Sequence, residues 1–559
     1  MKKIIFSLVV LLIVQFSFAQ IAPQKYFVAF TDKDNSPYST SNPEEFLSPR
    51  SIDRRNQQGI TIDSKDLPVN PQYIQGVREV GVTLLNPTKW LNGITIETGD
   101  PAKIDIINDL PYVSNIRQSS LRVMEKGGGK PFFDDETFET ATSNALAGHG
   151  NGRMLDYGGA YNQIHMLKGD LLHDMGYQGQ GMLIAVLDAG FVNVNSLGVF
   201  DKLWTDGQIL GTYDFVSGGE VTFDKHPHGT MVLSTMGGYS PGNLIGTAPE
   251  ADYILLRSED GGSEYIIEEY NWVSAAEYAD SAGADIINSS LGYTEFDDPA
   301  QSHTYEDMDG KTTPVTIGAD IAASRGMIVV NSAGNSGGSS WLYIGAPADG
   351  DSVFSIGAVD AQGNYAGFSS RGPTYDGRIK PNVVAQGQAA WIADPYSGSG
   401  FGYGSGTSFS SPIMAGMVSC LWQANPEMNN MSVLSAIEQS GSQHANPDDF
   451  LGYGIPDFQE ANSILTFFEN ERNEPGDQMT VQPNPFSGQI RIELPVYVQG
   501  ETLVELMDLA GRVVLKRDFK TIADGIIHID HLDVLGSGVY VLRLTSGNAV
   551  ATKKLIKSR

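Results

Sequence analysis

Cysteine is nearly absent from this sequence of 559 residues, in which Cys420 is the only one. A single cysteine excludes an intrachain disulfide, so stability must come from a large hydrophobic core or from bound ions. Because Cys420 lies in an apolar helical stretch, we expect a buried thiol, with a reactive thiol as the alternative. Basic residues are also few, since 36 Lys and Arg stand against 66 Asp and Glu and give a formal net charge of −30. This balance argues against a nucleic-acid-binding surface, which needs an excess of positive charge.

Long apolar runs are missing except within the first twenty residues, MKKIIFSLVVLLIVQFSFAQ. This stretch begins with two lysines, continues with apolar residues from Ile4 to Val14 and ends in small residues at Ala19. Its apolar part is shorter than the roughly 20 residues that a membrane span requires. We therefore predict a secretory signal peptide over 1–19, cleaved after Ala19, rather than a membrane anchor. The mature protein is expected to be exported.

The rest of the chain divides into three segments separated by polar stretches. Strand-like and helical patterns alternate over 20–125 and predict a small α+β domain. Strands of the buried type alternate with helices over 154–466, which predicts an α/β domain with a mainly parallel sheet and helices on both faces. Short strands at regular spacing over 481–559 predict a β-sandwich. The Gly- and acid-rich stretch 126–153 and the polar stretch 467–480 are expected to be linkers.

Polar residues follow two of the predicted buried strands. Asp188 ends the run LIAVLD, and Asn335 follows the run MIVV within NSAGNSGG. In parallel sheets such positions collect at the carboxyl edge, where functional groups gather. Taken alone, each residue is explained equally well as a turn residue at the end of its strand. The alternative is a carboxylate that orients a histidine and an amide that donates to an oxyanion.

A histidine begins a predicted helix in the sequence HPHGTMV, 226–232. His226 and His228 form an H-x-H pair, but no third nitrogen or sulfur ligand is identifiable nearby, which argues against zinc. His228 places an imidazole at the start of this helix, and Gly229 after it allows close backbone approach.

The stretch GSGTSFSSPIMAGM, 404–417, places Ser408 among small residues in front of an apolar run. Ser408 is either an ordinary helix cap or a nucleophile, and a nucleophile needs a neighbouring imidazole that is oriented by a carboxylate. A helix N-terminus at this point would direct backbone N–H groups to a developing oxyanion. Pro412 fits a first helical turn but not a helix interior, so we expect the helix to start close to it.

The motifs AVLDAG, HGTMV, GADIINSSLG, NSAGN and GTSFSSP occur in the order and at the spacing of a subtilisin-like serine protease, which 155–465 resembles. The resemblance implies that Asp188 is the orienting carboxylate, His228 the general base and acid, and Ser408 the nucleophile. It implies that Asn335 is the oxyanion-hole side chain, acting together with the backbone N–H of Ser408.

The same resemblance implies a substrate cleft. The residues that it assigns to substrate binding are Ser290, Leu291, Gly292, Gly334 and Gly345. The first three belong to a backbone segment that pairs with the peptide as an added strand, and the glycines favour a roomy apolar pocket. Two residues, Ala189 and Met231, differ from those usual in the family, but neither removes a catalytic atom.

The flanking segments also resemble known domains. By position and element order, 20–125 is similar to the inhibitory propeptides of subtilases, which are removed autocatalytically. The motifs VQPNPF, VELMDLAGRVV and GVYVLRLTSG and the basic end resemble the sorting domain of type IX secretion cargo. That resemblance implies export across the outer membrane, to the cell surface or the medium, and usually removal of the domain. The alternative for 481–559 is a carbohydrate-binding or adhesive β-sandwich.

Taken together, these patterns predict a secreted, monomeric serine endopeptidase, made as a self-processed preproprotein, whose partners are protein substrates and the type IX machinery. A catalytically silent surface or adhesion protein with the same fold is the alternative. An esterase is disfavoured because Ser408 lies outside a G-x-S-x-G motif. Catalysis needs no cofactor. Structural calcium is common in the family, and the loop 305–312 offers Asp307 and Asp309, although a solvated acidic turn explains both residues as well.

Overall fold

The computed structural model describes residues 24–120, 137–140, 155–220, 223–398, 400–473, 479–494, 502–508, 512–520, 526–546 and 549–557. The predicted signal peptide, 1–19, lies outside the described residues. The chain forms two compact units, Met1–Ala461 and Asn462–Arg559. Within the described ranges, no helix is long and apolar enough to cross a membrane.

The first part of the larger unit is an antiparallel sheet with three helices. Its strands, β1 (Lys25–Phe30), β2 (Thr83–Thr88), β3 (Gly93–Glu97) and β4 (Val113–Gln118), lie in the order β2-β3-β1-β4. The helices are α1 (Pro49–Gln58), α2 (Pro71–Glu79) and α3 (Pro101–Asn108). Each helix begins with proline and is preceded by a side chain that accepts a backbone N–H, from Ser48, Asn70 and Asp100 respectively. The prediction of a small α+β domain is confirmed.

A seven-stranded parallel sheet forms the centre of the region that follows. In spatial order its strands are β14 (Val383–Gln386), β13 (Val353–Val359), β12 (Ile328–Ser332), β11 (Ile286–Ser289), β6 (Leu183–Asp188), β10 (Asp252–Arg257) and β7 (Ile209–Asp214). Every residue of β6, β11 and β12 is buried, as expected for strands that are covered on both faces.

Two pairs of helices cover this sheet. Helices α8 (Ile267–Ala282) and α9 (Pro314–Ser324) pack together, and Leu183, Ala185 and Leu187 of β6 share a core cluster with residues of both helices. Helices α7 (His228–Gly237) and α10 (Thr407–Ala424) pack together against the other face, where α10 contacts β11 to β14. The predicted mainly parallel sheet with helices on both faces is confirmed.

Shorter elements complete the unit. They are α4 (Tyr161–His165), α5 (Gly169–Asp174), α6 (Asp201–Thr205), α11 (Asn430–Gln439), the pair β8 (Tyr239–Ser240) and β9 (Leu244–Ile245), and a sheet of β15 (Ala390–Ala393), β16 (Phe401–Ser405) and β5 (Thr137–Thr140). Strand β5 lies inside the predicted linker 126–153. It forms because it pairs with β16, a strand that is distant in sequence, and not because of a local pattern.

The smaller unit contains two antiparallel sheets. One consists of β17 (Thr480–Gln482), β18 (Ile490–Glu493) and β21 (Ile526–Ile529), and the other of β20 (Val513–Phe519), β19 (Thr502–Asp508), β22 (Gly538–Ser546) and β23 (Ala549–Lys557). Residues of both sheets share one hydrophobic core, which agrees with the predicted β-sandwich. Helix α12 (Phe458–Asn473) extends into the stretch that was expected to be a linker.

The N-terminal sheet docks on α8 through buried polar contacts. The carboxylate of Glu277 accepts hydrogen bonds from the Thr88 hydroxyl at 2.5 Å and from the backbone N–H groups of Lys89 at 2.7 Å and Trp90 at 2.9 Å. The ring of Phe27 stacks on Tyr270 with centroids 4.2 Å apart. Since burial raises the pKa of Glu277, these three donors offset part of the cost of holding a carboxylate in the interface.

Candidate active site

The carboxyl end of β6 meets the first turn of α7. Asp188 is the last residue of β6 and His228 the first of α7, and both are buried. The Nδ1 atom of His228 lies 2.8 and 2.9 Å from the two carboxylate oxygens of Asp188, and the N–H of Ala189 donates to the same carboxylate at 2.7 Å. This contact fixes the imidazole with its Nδ1–H toward Asp188, so Nε2 is the nitrogen that can take up a proton.

Ser408 lies at the start of α10, as the second residue after its N-cap, Gly406. Its hydroxyl is buried, and its Oγ forms no hydrogen bond with any residue that the structure describes. The His228 ring and the ring of Phe409, the next residue after Ser408, have centroids 6.4 Å apart. Ser408 therefore directly precedes a residue whose ring lies near that of His228, at a helix end whose first N–H groups lack intrahelical partners.

Pro412 does not lie in the first turn, as the sequence suggested, but inside α10. A proline at this position has no N–H to donate to the carbonyl of Ser408, four residues earlier. The hydroxyl of Ser290 donates to that carbonyl instead, at 2.9 Å. The helix tolerates the proline because a side chain from beyond β11 replaces the missing donor.

Asn335 lies three residues beyond β12 and acts as a cap for α10. Its Oδ1 accepts from the backbone N–H of Thr407 at 2.8 Å and from the Thr407 hydroxyl at 3.0 Å. The Thr407 Oγ1 in turn accepts from the Gly334 N–H at 3.1 Å. Because Oδ1 must be the acceptor in these contacts, the NH2 group of the Asn335 amide points away from Thr407. The sequence analysis did not identify Thr407 as the residue that orients the Asn335 amide. The available signal was the presence of a hydroxyl side chain directly before Ser408.

A cavity opens beside Asn335. Gly292, Gly334 and Gly345 line it, whereas Ser290 and Leu291 are buried and do not. A Cβ on Gly334 would meet Ser370 Oγ at 2.9 Å, and one on Gly345 would meet Thr294 Cγ2 at 2.9 Å. A side chain at either position would therefore force a neighbouring side chain to shift.

The expectation of an apolar pocket is not met. Glu264 and Glu295 line the same cavity as Asn335 and the glycines. Neither glutamate belongs to a motif that the sequence analysis singled out.

The alternative sites proposed from the sequence do not assemble. Nδ1 of His226 accepts the backbone N–H of His228 at 3.3 Å, and no metal-ligand cluster among the described residues contains either histidine. Burial raises the pKa of the Cys420 thiol to about 12, and its sulfur lies 3.2 Å from the carbonyl of Thr247. The buried, unreactive thiol expected from the sequence agrees with this environment.

Both aspartates of the acidic loop 305–312 accept local hydrogen bonds. One oxygen of Asp309 accepts the N–H groups of Lys311 and Thr312 at 2.8 and 3.0 Å. One oxygen of Asp307 accepts the N–H and hydroxyl of Thr304 at 2.7 and 2.8 Å. These carboxylates stabilise their own turns, as in the solvated acidic turn that was the alternative, and a calcium site in this loop stays a prediction.

Three families match this chain. The subtilase family matches residues 179–454, the peptidase S8 propeptide domain of Bacteroidota matches 25–130, and the secretion system C-terminal sorting domain matches 480–558. The range matched by the subtilase family includes four of the site residues described above, Asp188, His228, Asn335 and Ser408.

The chain is also similar to characterised proteases. Subtilisin DY from Bacillus licheniformis is 30% identical over 296 residues, which cover 52% of this chain and 93% of that protein. Subtilisin E from Bacillus subtilis (strain 168) is 28% identical over 302 residues, which cover 53% of this chain and 70% of that protein. The thermophilic serine proteinase from Bacillus sp. (strain AK1) is 29% identical over 287 residues, which cover 51% of this chain and 62% of that protein.

Proposed function

Because this chain belongs to the subtilase family and is a subtilisin-like serine endopeptidase, we propose that Asp188, His228 and Ser408 form its catalytic triad. The observation that carries this proposal is the pair of 2.8 and 2.9 Å contacts between His228 Nδ1 and Asp188, together with the position of Ser408 at a helix N-terminus directly before Phe409, whose ring centroid lies 6.4 Å from that of His228. Asn335 completes the site as the oxyanion donor.

The proposed reaction forms and hydrolyses an acyl-enzyme. The Ser408 Oγ attacks the scissile carbonyl carbon while Nε2 of His228 takes the hydroxyl proton. The NH2 group of Asn335 and the N–H of Ser408 stabilise the tetrahedral oxyanion. His228 then gives its proton to the leaving amine as the C–N bond breaks. Water attacks the acyl-enzyme by the same route and restores Ser408, while Asp188 stays ionised and stabilises the imidazolium.

The substrate backbone is proposed to pair with the segment Ser290–Gly292 as an added strand. Ser290 and Leu291 lie at the end of β11, directly before Gly292, which lines the cavity. The side chain of the residue that carries the scissile carbonyl then enters the cavity lined by Gly334 and Gly345.

The flanking domains define how the enzyme is made. It carries an S8 propeptide domain before the catalytic domain and a C-terminal sorting domain that directs it by type IX secretion to the cell surface or exterior. We propose that the active site removes the propeptide itself and that the mature enzyme is a monomer. The proposed chemistry uses only protein groups and water, so no cofactor is required.

The test uses the secreted full chain and its Ser408→Ala variant. A fluorophosphonate probe should label the wild type, which should also hydrolyse casein and lose its N-terminal domain, as read by N-terminal sequencing. Ser408→Ala should remain unlabelled, inactive and unprocessed. The matched control is Ser410→Ala, which removes a neighbouring buried hydroxyl that bonds only to the carbonyl of Thr407 at 3.0 Å. If Ser408→Ala matured and cleaved casein at the wild-type rate, the assignment would be wrong, and a folded but unlabelled wild type would indicate a silent protein.

A further inference from the structure

The cavity beside Asn335 contains two carboxylates that the proposed mechanism does not use. Glu264 comes from the connection between β10 and α8, and Glu295 from the segment that follows β11. Both lie in the wall of the same cavity as Gly334 and Gly345. A substrate side chain that enters this space therefore encounters two acidic groups from separate parts of the chain.

Glu264 is held in place and is not a loose surface residue. It is only 5% exposed. Its backbone N–H donates to the carboxylate of Asp297 at 3.2 Å, and its carbonyl accepts the Asp297 N–H at 2.9 Å. These bonds tie together the two loops that supply Glu264, which is buried, and Glu295, which is exposed.

Two further carboxyl groups lie close to that of Glu264. One carboxylate oxygen from each of Glu259, Glu264 and Glu268 lies within 4.8 Å of the others, and all three residues are buried. The hydroxyl of Tyr293 donates to Glu259. Carboxylates so close together repel each other, and a cation placed among them lowers that cost.

Two cations of the described chain face this region. Arg257 is paired with Asp214 at 3.0 Å and lies 3.5 Å from Asp260. Lys25, on the N-terminal domain, is 5% exposed; burial lowers its pKa, and attraction by Glu97 first and then by Glu268 and Asp260 opposes that effect. A lysine ammonium is thus already accommodated beside this group of acids.

We propose that the cavity binds a lysine or arginine side chain of the residue that carries the scissile carbonyl, which makes the protease selective for cleavage after basic residues. The inference rests on the proposed function, because Asn335 marks the position of that carbonyl. A long aliphatic stem passes between Gly334 and Gly345, and the charged end reaches Glu264 and Glu295. A substrate with an acidic residue at this position is repelled by the same two groups.

The experiment compares kcat/KM for fluorogenic peptides that differ only at that residue, with lysine, arginine, methionine or glutamate. Methionine has a similar length without charge. The wild type should prefer lysine and arginine over methionine at least about tenfold, with glutamate the poorest, because charged hydrogen bonds to a buried carboxylate discriminate strongly. The Glu264→Gln/Glu295→Gln double variant should lower the lysine-to-methionine ratio about tenfold or more, and Glu295→Gln alone should lower it in part.

The control variant is Glu460→Gln, an exposed glutamate on α12, which should keep the wild-type ratio. Fluorophosphonate labelling of the same samples separates the two proposals. Labelled wild type without a preference for lysine or arginine would overturn this inference and leave the triad standing, whereas unlabelled wild type would overturn the triad. A ratio that rises sharply when EDTA is added would assign the carboxylates to a metal ion and also overturn the inference.

Discussion

The docking of the N-terminal domain depends on one buried carboxylate, Asp280 on α8. Three cations of that domain converge on it: Arg54 at 2.6 Å, Arg55 at 2.9 Å and Lys89 at 3.0 Å. Burial alone would raise the pKa of Asp280, but these cations lower it below its ordinary value. Replacing this residue with asparagine should therefore leave three buried positive charges without their common counter-charge.

The magnitude of the effect follows from that burial. The side chains of Asp280, Arg54 and Arg55 are at most 3% exposed, and breaking such a buried pair costs about 3–5 kcal/mol. Amide hydrogen exchange in the full chain measures this cost, with Ser408→Ala present in every sample to prevent processing. Asp280→Asn should accelerate exchange in α1, β2 and β3 on the order of 10²- to 10⁴-fold, because each 1.36 kcal/mol is tenfold.

The matched control lies in the same interface. Asp63 pairs with Arg325 at 3.1 Å but is 49% exposed, so Asp63→Asn should cost about 0–1 kcal/mol and change exchange by less than about fivefold. If Asp280→Asn and Asp63→Asn accelerated exchange equally, burial would not determine the cost. If Asp280→Asn accelerated exchange in α10 as much as in α1, the variant would unfold the whole unit. Either result would refute the reasoning.

The pH dependence of docking has a definite sign. Because the folded-state pKa of Asp280 is lowered, its contribution is present above the ordinary value of 3.8 and is lost only as pH falls below that value. The exchange difference between wild type and Asp280→Asn should therefore be constant from neutral pH down to about 4.

Three further predictions concern the catalytic domain. Asn335→Ala should lower kcat about 10²–10³-fold because one oxyanion donor is lost, and should also lower the melting temperature because the buried N–H of Thr407 loses its acceptor. Thr407→Val should lower kcat less and Thr407→Ser should restore it, because only the hydroxyl that orients Asn335 is removed. Burial raises the pKa of Asp349 from 3.8 to about 6. The free energy of unfolding should therefore fall by about 3 kcal/mol as the pH rises from 3.8 to 6. Over that window, urea unfolding should show Asp349→Asn gaining stability relative to the wild type, with no further change above pH 6.

The fold of the central domain was predictable because its main signal is local. Strands that are buried on both faces must be continuous apolar runs, and β6, β11 and β12 are such runs in the sequence. Their polar ends then share one edge of the sheet. For that reason Asp188 and Asn335 could be placed near each other before any distance was known.

The orientation of the site residues could not be predicted in the same way. The bond from Ser290 to the Ser408 carbonyl and the bonds from Thr407 to Asn335 join residues that are 118 and 72 positions apart. The hydrophobic periodicity of a sequence cannot predict such pairs. The position of Pro412 shows the consequence, since a local rule excluded it from the helix interior and a distant hydroxyl made it acceptable there.

The specificity of the enzyme also depends on contacts between residues that are distant in sequence. The glycines that open the cavity stand in recognisable motifs, but Glu264 and Glu295 reach it through the packing of two loops that Asp297 joins. The motifs therefore predict that a peptide is cut, whereas side chains outside the motifs decide which peptide. If the lysine-to-methionine ratio follows these two glutamates, chemistry and selectivity in this protease are held by separate sets of residues and can be altered independently.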